Sequence, residues 1–325
     1  MNKIKIIPIA AETFGVRSMA TFVSTENVRI LLDPGAALGF RFGLFPHPLE
    51  YSTLEISRKN LREISEKSDI IVITHYHYDH YTPPFERKDN LWTWSDKNES
   101  EVIFKDKVVI VKDVENYINY SQKVRGWYFQ KFLKKIAKKV ITGDNKEIKL
   151  EGVLMKIIGC IPHGEENSEL GYLNIVEVVV DEEKFIFSPD IQGPISSKTL
   201  KTIIDEKPQI IYLGGPPTYL SGFSVNEEDI LKGIENMKVV AKNVKKVIID
   251  HHLIRDKEWK NIIEKVATES KNGEVFTAAT YVKKPVRPFE SIRKDLYERY
   301  PISEEFKKWL KKSNEYKRNN PPPLD

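Results

Sequence analysis

One cysteine, Cys160, stands in the 325-residue sequence, and that scarcity excludes an intramolecular disulfide framework and a thiolate zinc knuckle. Long apolar runs are missing as well: nothing approaches the roughly 18 residues of a membrane span. The opening Met1–Pro8 is too short an apolar run for a secretory leader. These absences predict a protein of the cytoplasm that does not enter the membrane. Strong charge of one sign is also lacking, the net value being +4. Histidine is scarce too, at seven residues, yet six of them occupy three places: His75, His77 and His80; His163; and His251–His252. Neutral imidazole is the commonest nitrogen ligand for metals, and imidazole mixed with carboxylate suits zinc, manganese or iron. Asp79, inside the first cluster, and Asp190, ending a strand-like run, supply the carboxylates. The pattern predicts a metal-dependent enzyme.

The hydrophobic share of 40% and charged share of 30% describe a globular chain with ample core. Abundant Lys, Glu and Ile is a composition that heat-adapted proteins favour. Basic residues concentrate in 121–150, where nine Lys/Arg face only Asp144 and Glu147, and again in the last forty-five residues. A solvated charged surface accounts for such runs in most proteins.

Short β-rich runs open the chain (Ile4–Ile9, Met19–Ser24, Val28–Leu32), the last closing in the turn signal Asp33-Pro34-Gly35. A helical stripe follows over Thr53–Lys67. Ile70–Thr74 then reads as a strand buried on both faces that delivers the chain into His75. Residues 85–150 read as an insertion: a polar loop over Arg87–Ser100, a strand at Lys107–Val111, and helices at Val114–Tyr120 and Gly126–Lys139. The β pattern resumes in the second half. Helices are expected at Ser224–Val244, opened by the capping-box signature Ser224-x-x-Glu227, and at Asp256–Ser270. A last strand is expected over Glu274–Tyr281, then a basic helical extension over 285–325 with a disordered Pro-rich tail from Asn319. Val72-Ile73-Thr74-His75 and Ile248-Ile249-Asp250-His251 share one form, apolar strand, polar residue, histidine.

Side chains two apart on an extended segment point the same way, so His75 and His77 suit one ion. Asp79 and His80 follow where the chain turns, and their offset suits a second ion some 3.5–4 Å from the first. The stretch Thr74-His75-Tyr76-His77-Tyr78-Asp79-His80 resembles the His-x-His-x-Asp-His signature of the metallo-β-lactamase-fold superfamily. Leu31–Gly35 resembles that superfamily's first motif, His163 its third, Asp190 its fourth, and His251 or His252 its fifth, in order from about residue 19 to residue 252.

The resemblance implies an α/β fold, a four-layer αββα sandwich forming a single domain. To it would be added the inserted segment 85–150 as a lid or substrate arm, and the extension 285–325. It implies two divalent ions, zinc first with Mn2+ or Fe2+ as alternatives. His75, His77 and His163 would hold one, and Asp79, His80 and His251 or His252 the other, with Asp190 bridging them. Asp33 would orient a ligand or the turn. His251 is favoured by the parallel with the His75 strand and by Arg255 four residues on, a spacing of the ribonuclease-like members; Asp256 departs from their aromatic. The implied reaction is hydrolysis by a metal-bridging hydroxide, with Asp79 relaying its proton and His252 protonating the leaving group.

His77 argues against the oxygen-reducing members, which place an acid there, and the short Asp190–His251 spacing excludes the nucleases with a large inserted domain. For the substrate, the basic segment with Trp127, Tyr128 and Phe129 favours a phosphodiester, RNA included. The alternatives are a small lactone, thioester or amide, or a non-catalytic metal-binding scaffold. Tyr219, after Gly214–Pro217, is a candidate for substrate contact, and Arg17-Ser18 a weak anion site. His47 is expected to be exposed, and Cys160 to be a buried hydrophobe.

Overall fold

A computed structural model describes residues 3–86, 91–166, 168–271 and 273–324. β1 (Lys5–Pro8), β2 (Thr21–Ser24), β3 (Arg29–Leu32), β4 (Ile70–Ile73), β5 (Val108–Val111) and β6 (Lys139–Thr142) form a six-stranded sheet in sequential order. The first three are antiparallel, and β3 to β6 run parallel. β7 (Lys146–Leu150), β8 (Val153–Pro162), β9 (Tyr172–Val180), β10 (Glu183–Ser188), β11 (Ile210–Gly214), β12 (Lys246–Asp250) and β13 (Val275–Phe276) form a second sheet. It too begins antiparallel and turns parallel, from β10 onward.

Alternation along the strands sets the layers. Ile30, Leu32, Ile70 and Val72 of the first sheet meet Phe185, Phe187, Tyr212 and Ile248 of the second in a central core. Their neighbours Leu31, Ile71 and Ile73 face outward onto α1 (Pro48–Lys67), α2 (Lys97–Phe104) and α3 (Tyr120–Ile136), through Leu54, Leu61, Phe104, Phe129 and Leu133. Ile186, Ile211, Leu213 and Ile249 face α4 (Ser197–Glu206), α5 (Glu227–Asn243) and α6 (Trp259–Ala267), through Ile203, Met237, Val240 and Val266. The result is a four-layer αββα sandwich. Among the described residues no helix is long and apolar enough to cross a membrane.

Several expectations are corrected here. Segment 85–150 is not appended to the fold, because β5 and β6 extend the first sheet and β7 edges the second. The strand Lys139–Thr142 is hidden in the sequence since Val140 continues the apolar stripe of α3 past its end. Val114–Asn119 is not helical; Asp113 caps a turn there, accepting from the backbone N–H of Glu115 and the side-chain amide of Asn116. Part of the Arg87–Ser100 loop (87–90) lies outside the described residues, and its end enters α2. α5 begins at Glu227, so the Ser224 capping box is not formed, and α6 begins at Trp259 rather than after Asp256. The last strand stops at Phe276, because Thr277 caps α7 (Ala278–Tyr281).

His47 is buried, not exposed: with Glu50 it makes the capping box of α1, five residues ahead of the expected start. Cys160 is half-buried, in the bulge of β8. The C-terminal extension, α8 (Arg293–Arg299), α9 (Glu304–Leu310) and α10 (Asn314–Asn319), packs back on the molecule. Phe306 and Trp309 join the core outside the first sheet, and fully buried Arg293 forms a two-pronged ion pair with Glu50. The tail up to Leu324 is placed against this surface rather than disordered; Trp309 Nε1 donates to the Asn320 carbonyl at 2.8 Å. Leu324 packs on the core that holds Tyr51, Trp94 and Trp309, and Pro321 and Pro322 border a space walled by Tyr51 and Trp94. Asp325 lies outside the described residues.

Candidate metal centre

The carboxyl ends of β3, β4, β10 and β12 converge at one edge of the sandwich, where α/β sheets place their ligands. Three of the four corners, those after β3, β10 and β12, contain non-glycine residues in left-handed backbone: Asp33 (φ 44°), Gln192 (φ 56°) and His251 (φ 66°). Such conformations are costly for side chains other than Asn and Asp, and they cluster at functional sites. Gly35 shows how tightly the corners fit. A Cβ there would lie 2.3 Å from the Tyr81 amide nitrogen, so the first turn needs glycine for the Asp79–Tyr81 segment to pass.

After β4 the chain enters His75–His80. Asp33 fixes this loop: its carboxylate accepts from the Thr74 amide at 2.8 Å and the Thr74 hydroxyl at 2.6 Å, and holds His80 Nδ1 at 2.8 Å. α3 supports the loop from beneath, Gln122 accepting from the Tyr76 amide and Arg125 lying over the Tyr78 ring. His163 sits at the β8–β9 hairpin, and Asp190 follows β10.

Asp190 is the hub. Its Oδ2 lies 2.9 Å from His163 Nε2, 3.2 Å from His75 Nε2 and 3.4 Å from His77 Nδ1. Its Oδ1 lies 2.9 Å from His251 Nε2 and 3.2 Å from His80 Nε2. Asp79 completes the second side, 3.7 Å from His251 Nε2 and 4.0 Å from His80 Nε2. The structure thus brings together every sequence-predicted metal residue. His251 faces His80, and His252 lines the adjoining cleft near His163, while a ring nitrogen of His252 also groups with Asp190 and His251 as a possible donor. Cys160 has no place among the donor groups.

The donor set fits divalent metal. Asp190 Oδ1 is buried and ringed by imidazole nitrogens, yet has no hydrogen-bond partner. Four of the five facing imidazoles, those of His75, His80, His163 and His251, are fixed through their other ring atom, as ligating histidines are. His75 Nδ1 meets the Thr74 hydroxyl at 3.0 Å, His163 Nδ1 the Gln192 amide at 3.3 Å, and His251 Nδ1 the Glu12 carboxylate at 3.0 Å. All-nitrogen and oxygen donors suit zinc, manganese or iron.

Electrostatics separates the groups. Burial alone would raise the Asp190 carboxyl, but the imidazoles of His80, His251, His252 and His75 hold it well below the usual range. Burial and the neighbouring His80 push His75 down. Burial would also lower His80 and His251, but Asp190, with Asp33 for the former and Glu12 for the latter, lifts both, His251 to about 9. Burial and the charge of His251 push His252 well down.

Two contributors, Glu12 and Gln192, carry no motif. Glu12, in Ala10-Ala11-Glu12-Thr13, holds His251 and also accepts from Arg255 at 2.6 and 2.8 Å. Arg255 in turn reaches Asp79 at 3.2 Å and the Tyr219 hydroxyl at 3.4 Å. Gln192 backs His163. The only available signal was a lone acid among small residues between two β runs, and a residue beside Gly193. Arg17, read as an anion site, is instead committed to Glu290 through two bonds of 2.6 and 2.7 Å.

The donor set opens into a cleft of about 660 Å³ that includes His77, His163, His252, Gln192 and Tyr219 in its walls. Paired sheets between helical layers, with His and Asp gathered at the strand ends, define a metallo-β-lactamase-fold protein. Within that class the chain belongs to the UPF0282 family. It is 35% identical over 309 residues to a UPF0282 protein of Korarchaeum cryptofilum, covering 94% of this chain and 98% of that one. It is 38% identical over 304 residues to one from Methanocaldococcus jannaschii, covering 93% and 99%. No family model matches the chain. Among solved structures, the metallo-β-lactamase-fold protein YhfI of Bacillus subtilis aligns with a TM-score of 0.49 at 11% identity, over 84% of this chain and 95% of that one; the fold assignment rests on the layers and strand order above.

Proposed function

We propose that the protein is a dinuclear metal-dependent hydrolase, with zinc the preferred ion. His75, His77 and His163 would hold the first ion and Asp79, His80 and His251 the second, with Asp190 facing both groups. The observation that carries this reading is the division of the two Asp190 oxygens between two separate imidazole groups. Bound divalent cations supply Lewis acidity and bring the pKa of water toward neutrality.

The chain's own groups do the rest. Asp79, anchored by Arg255 and only partly buried, is placed to hold the proton of the attacking water. His252 stands beside the donor set in the cleft wall; burial and the charge of His251 push its imidazole down, so it first takes up the proton released by the attacking water and then hands it to the leaving group. The corners fixed by Asp33 and Glu12 keep the donors in register, so little reorganisation accompanies reaction.

The test is a chain stripped by chelator and reloaded, with metal content measured beside turnover of phosphodiester, lactone and thioester substrates. Two ions per chain with turnover that vanishes on stripping is the expected result. One ion at saturation refutes the dinuclear site, and turnover that survives complete stripping refutes metal dependence.

A further inference from the structure

The register of α3 sorts the basic, aromatic stretch of the sequence onto two faces. Gln122, Gly126, Phe129 and Leu133 point inward and are buried. At about 100° per residue, Tyr120, Trp127, Tyr128, Lys131, Lys134 and Lys135 fall within one arc of roughly 120° on the opposite side. Tyr120 is 83% exposed, Tyr128 64% and Trp127 48%, and the three lysines are exposed as well. Rings occupy the N-terminal part of this stripe and lysines the C-terminal part, over about 22 Å of helix axis.

The charge on the stripe is uncompensated. α3 holds five Lys/Arg and no carboxylate. Lys123 pairs with Glu115, but Lys131, Lys134 and Lys135 have no ion-pair partner among the described residues. Other exposed helical lysines have an acid one turn away, as Lys105 has Glu101, Lys201 has Asp205 and Lys307 has Glu304. Lys131 Nζ instead lies 5.0 Å from the centre of the Trp127 ring, so cation and aromatic surface adjoin.

The helix is also fixed beside the donor loop. A Cβ at Gly126 would overlap the Tyr76 ring, and Arg125 lies over the ring of Tyr78. At its N-terminal end Asn119 and Gln122 donate to the carbonyls of Glu169 and Leu170, two residues of the cleft wall.

From these observations we infer that the outer face of α3 binds single-stranded nucleic acid, its rings taking bases and its lysines the phosphates of the adjoining nucleotides. An aromatic ring stacks on any base, and cations replace the counterions of the backbone. A duplex keeps its bases paired inside and offers nothing to the rings. A bilayer fits the order poorly. Interfacial helices run their apolar residues the length of one face with cations on the other, whereas here rings and lysines succeed one another along the axis. Stacking and phosphate contact do not read the sugar, so RNA and DNA strands are bound alike. The face stands apart from the hydrolase reading; cleavage of a strand that runs past Tyr120 to the cleft rim rests on that reading.

The experiment is fluorescence anisotropy of the full chain with dye-labelled oligouridylate and oligothymidylate of about 15 nucleotides, a length that single-strand-binding folds cover. Both probes should bind within about threefold of each other. The logarithm of the binding constant should fall with the logarithm of salt at a slope of about −2, three phosphates at about −0.7 each. Trp127→Ala should weaken binding about tenfold at an unchanged slope. The triple variant Lys131→Gln, Lys134→Gln, Lys135→Gln should bring the slope near zero. A charge-matched control on α9, Lys307→Gln, Lys308→Gln, Lys311→Gln, should leave affinity and slope in place. Every substituted side chain is exposed, and thermal unfolding checks that each variant folds. Absence of binding at low salt overturns the inference, as does a control variant that loses as much as the α3 triple. Equal affinity for polyglutamate, or for a duplex with Trp127→Ala without effect, shows charge alone and overturns it too. So does Trp127-dependent sedimentation with phosphatidylserine vesicles by a chain that binds no oligonucleotide, which assigns the face to a membrane. Binding without cleavage supports the inference and bears on the hydrolase reading separately.

Discussion

The two halves of the donor set are built from the same side chains but are backed differently. Behind His75 and His163 stand neutral groups, the Thr74 hydroxyl and the Gln192 amide. Behind His80 and His251 stand carboxylates, Asp33 and Glu12. A carboxylate behind an imidazole raises its basicity and fixes its orientation, and so strengthens its grip on a cation. The second half is therefore the tighter one in the proposed site, and the first is the half that opens on the cleft. Glu12 also ties the second half to Arg255. The C-terminal segment stands behind that arginine, through the Glu290–Arg17 pair.

The largest effect should come from the group common to both halves. Asp190→Ala is expected to empty both positions and to lower turnover by more than about 10³-fold, at the upper end for loss of one electrostatic stabiliser. Metal analysis at saturation checks this, and full occupancy of either half would show that the carboxylate is not shared. Next comes the anchor of the C-terminal segment. Arg293→Leu leaves Glu50 buried and uncompensated, a loss of about 3–5 kcal/mol in unfolding free energy, measurable by urea titration. A wild-type midpoint would mean that the extension contributes nothing behind the second half.

Smaller still is the contrast between backings. Glu12→Ala should weaken one of two ion affinities by about 100-fold and Gln192→Ala the other by about tenfold, in competition with a chelator. Equal losses would erase the distinction drawn above. The smallest effect concerns acid. Burial would raise the Glu290 carboxyl, but Arg17, helped by Arg255 and Arg293, holds it at about 2, below the ordinary 4.5. A depressed carboxyl contributes stability that is present above pH 4.5 and is lost as pH falls toward 2. Glu290→Gln in the metal-stripped chain should therefore flatten stability between those values; an unchanged acid limb would count against the pair.

The ligand residues were legible because of the His-x-His-x-Asp-His spacing and because apolar runs end near His75, Asp190 and His251, although His75 and His77 converge from a loop past the end of β4 rather than from the strand itself. The layers were legible for the same reason, as in the doubly buried Ile70–Ile73 strand. What was not legible depends on contacts between distant segments. Glu12 meets His251 only after both sheets have stacked, and no local pattern marks it. β6 was masked by the stripe of the helix before it, and the C-terminal tail by its proline content, since a proline-rich segment held by Leu324 and the Asn320 carbonyl reads in sequence like one in solvent. His47 was misjudged because a histidine cap looks like any loop histidine until its helix is seen.

The tail that covers Tyr51, Trp94 and Trp309 bears on how the chain can be handled. A recombinant version cut before Ser303 would lose Phe306 and Trp309 and bare Tyr51 and Trp94 on the outer face, the type of surface that drives self-association. A preparation that precipitates after C-terminal proteolysis would say more about this lost cover than about the metal-binding end of the molecule.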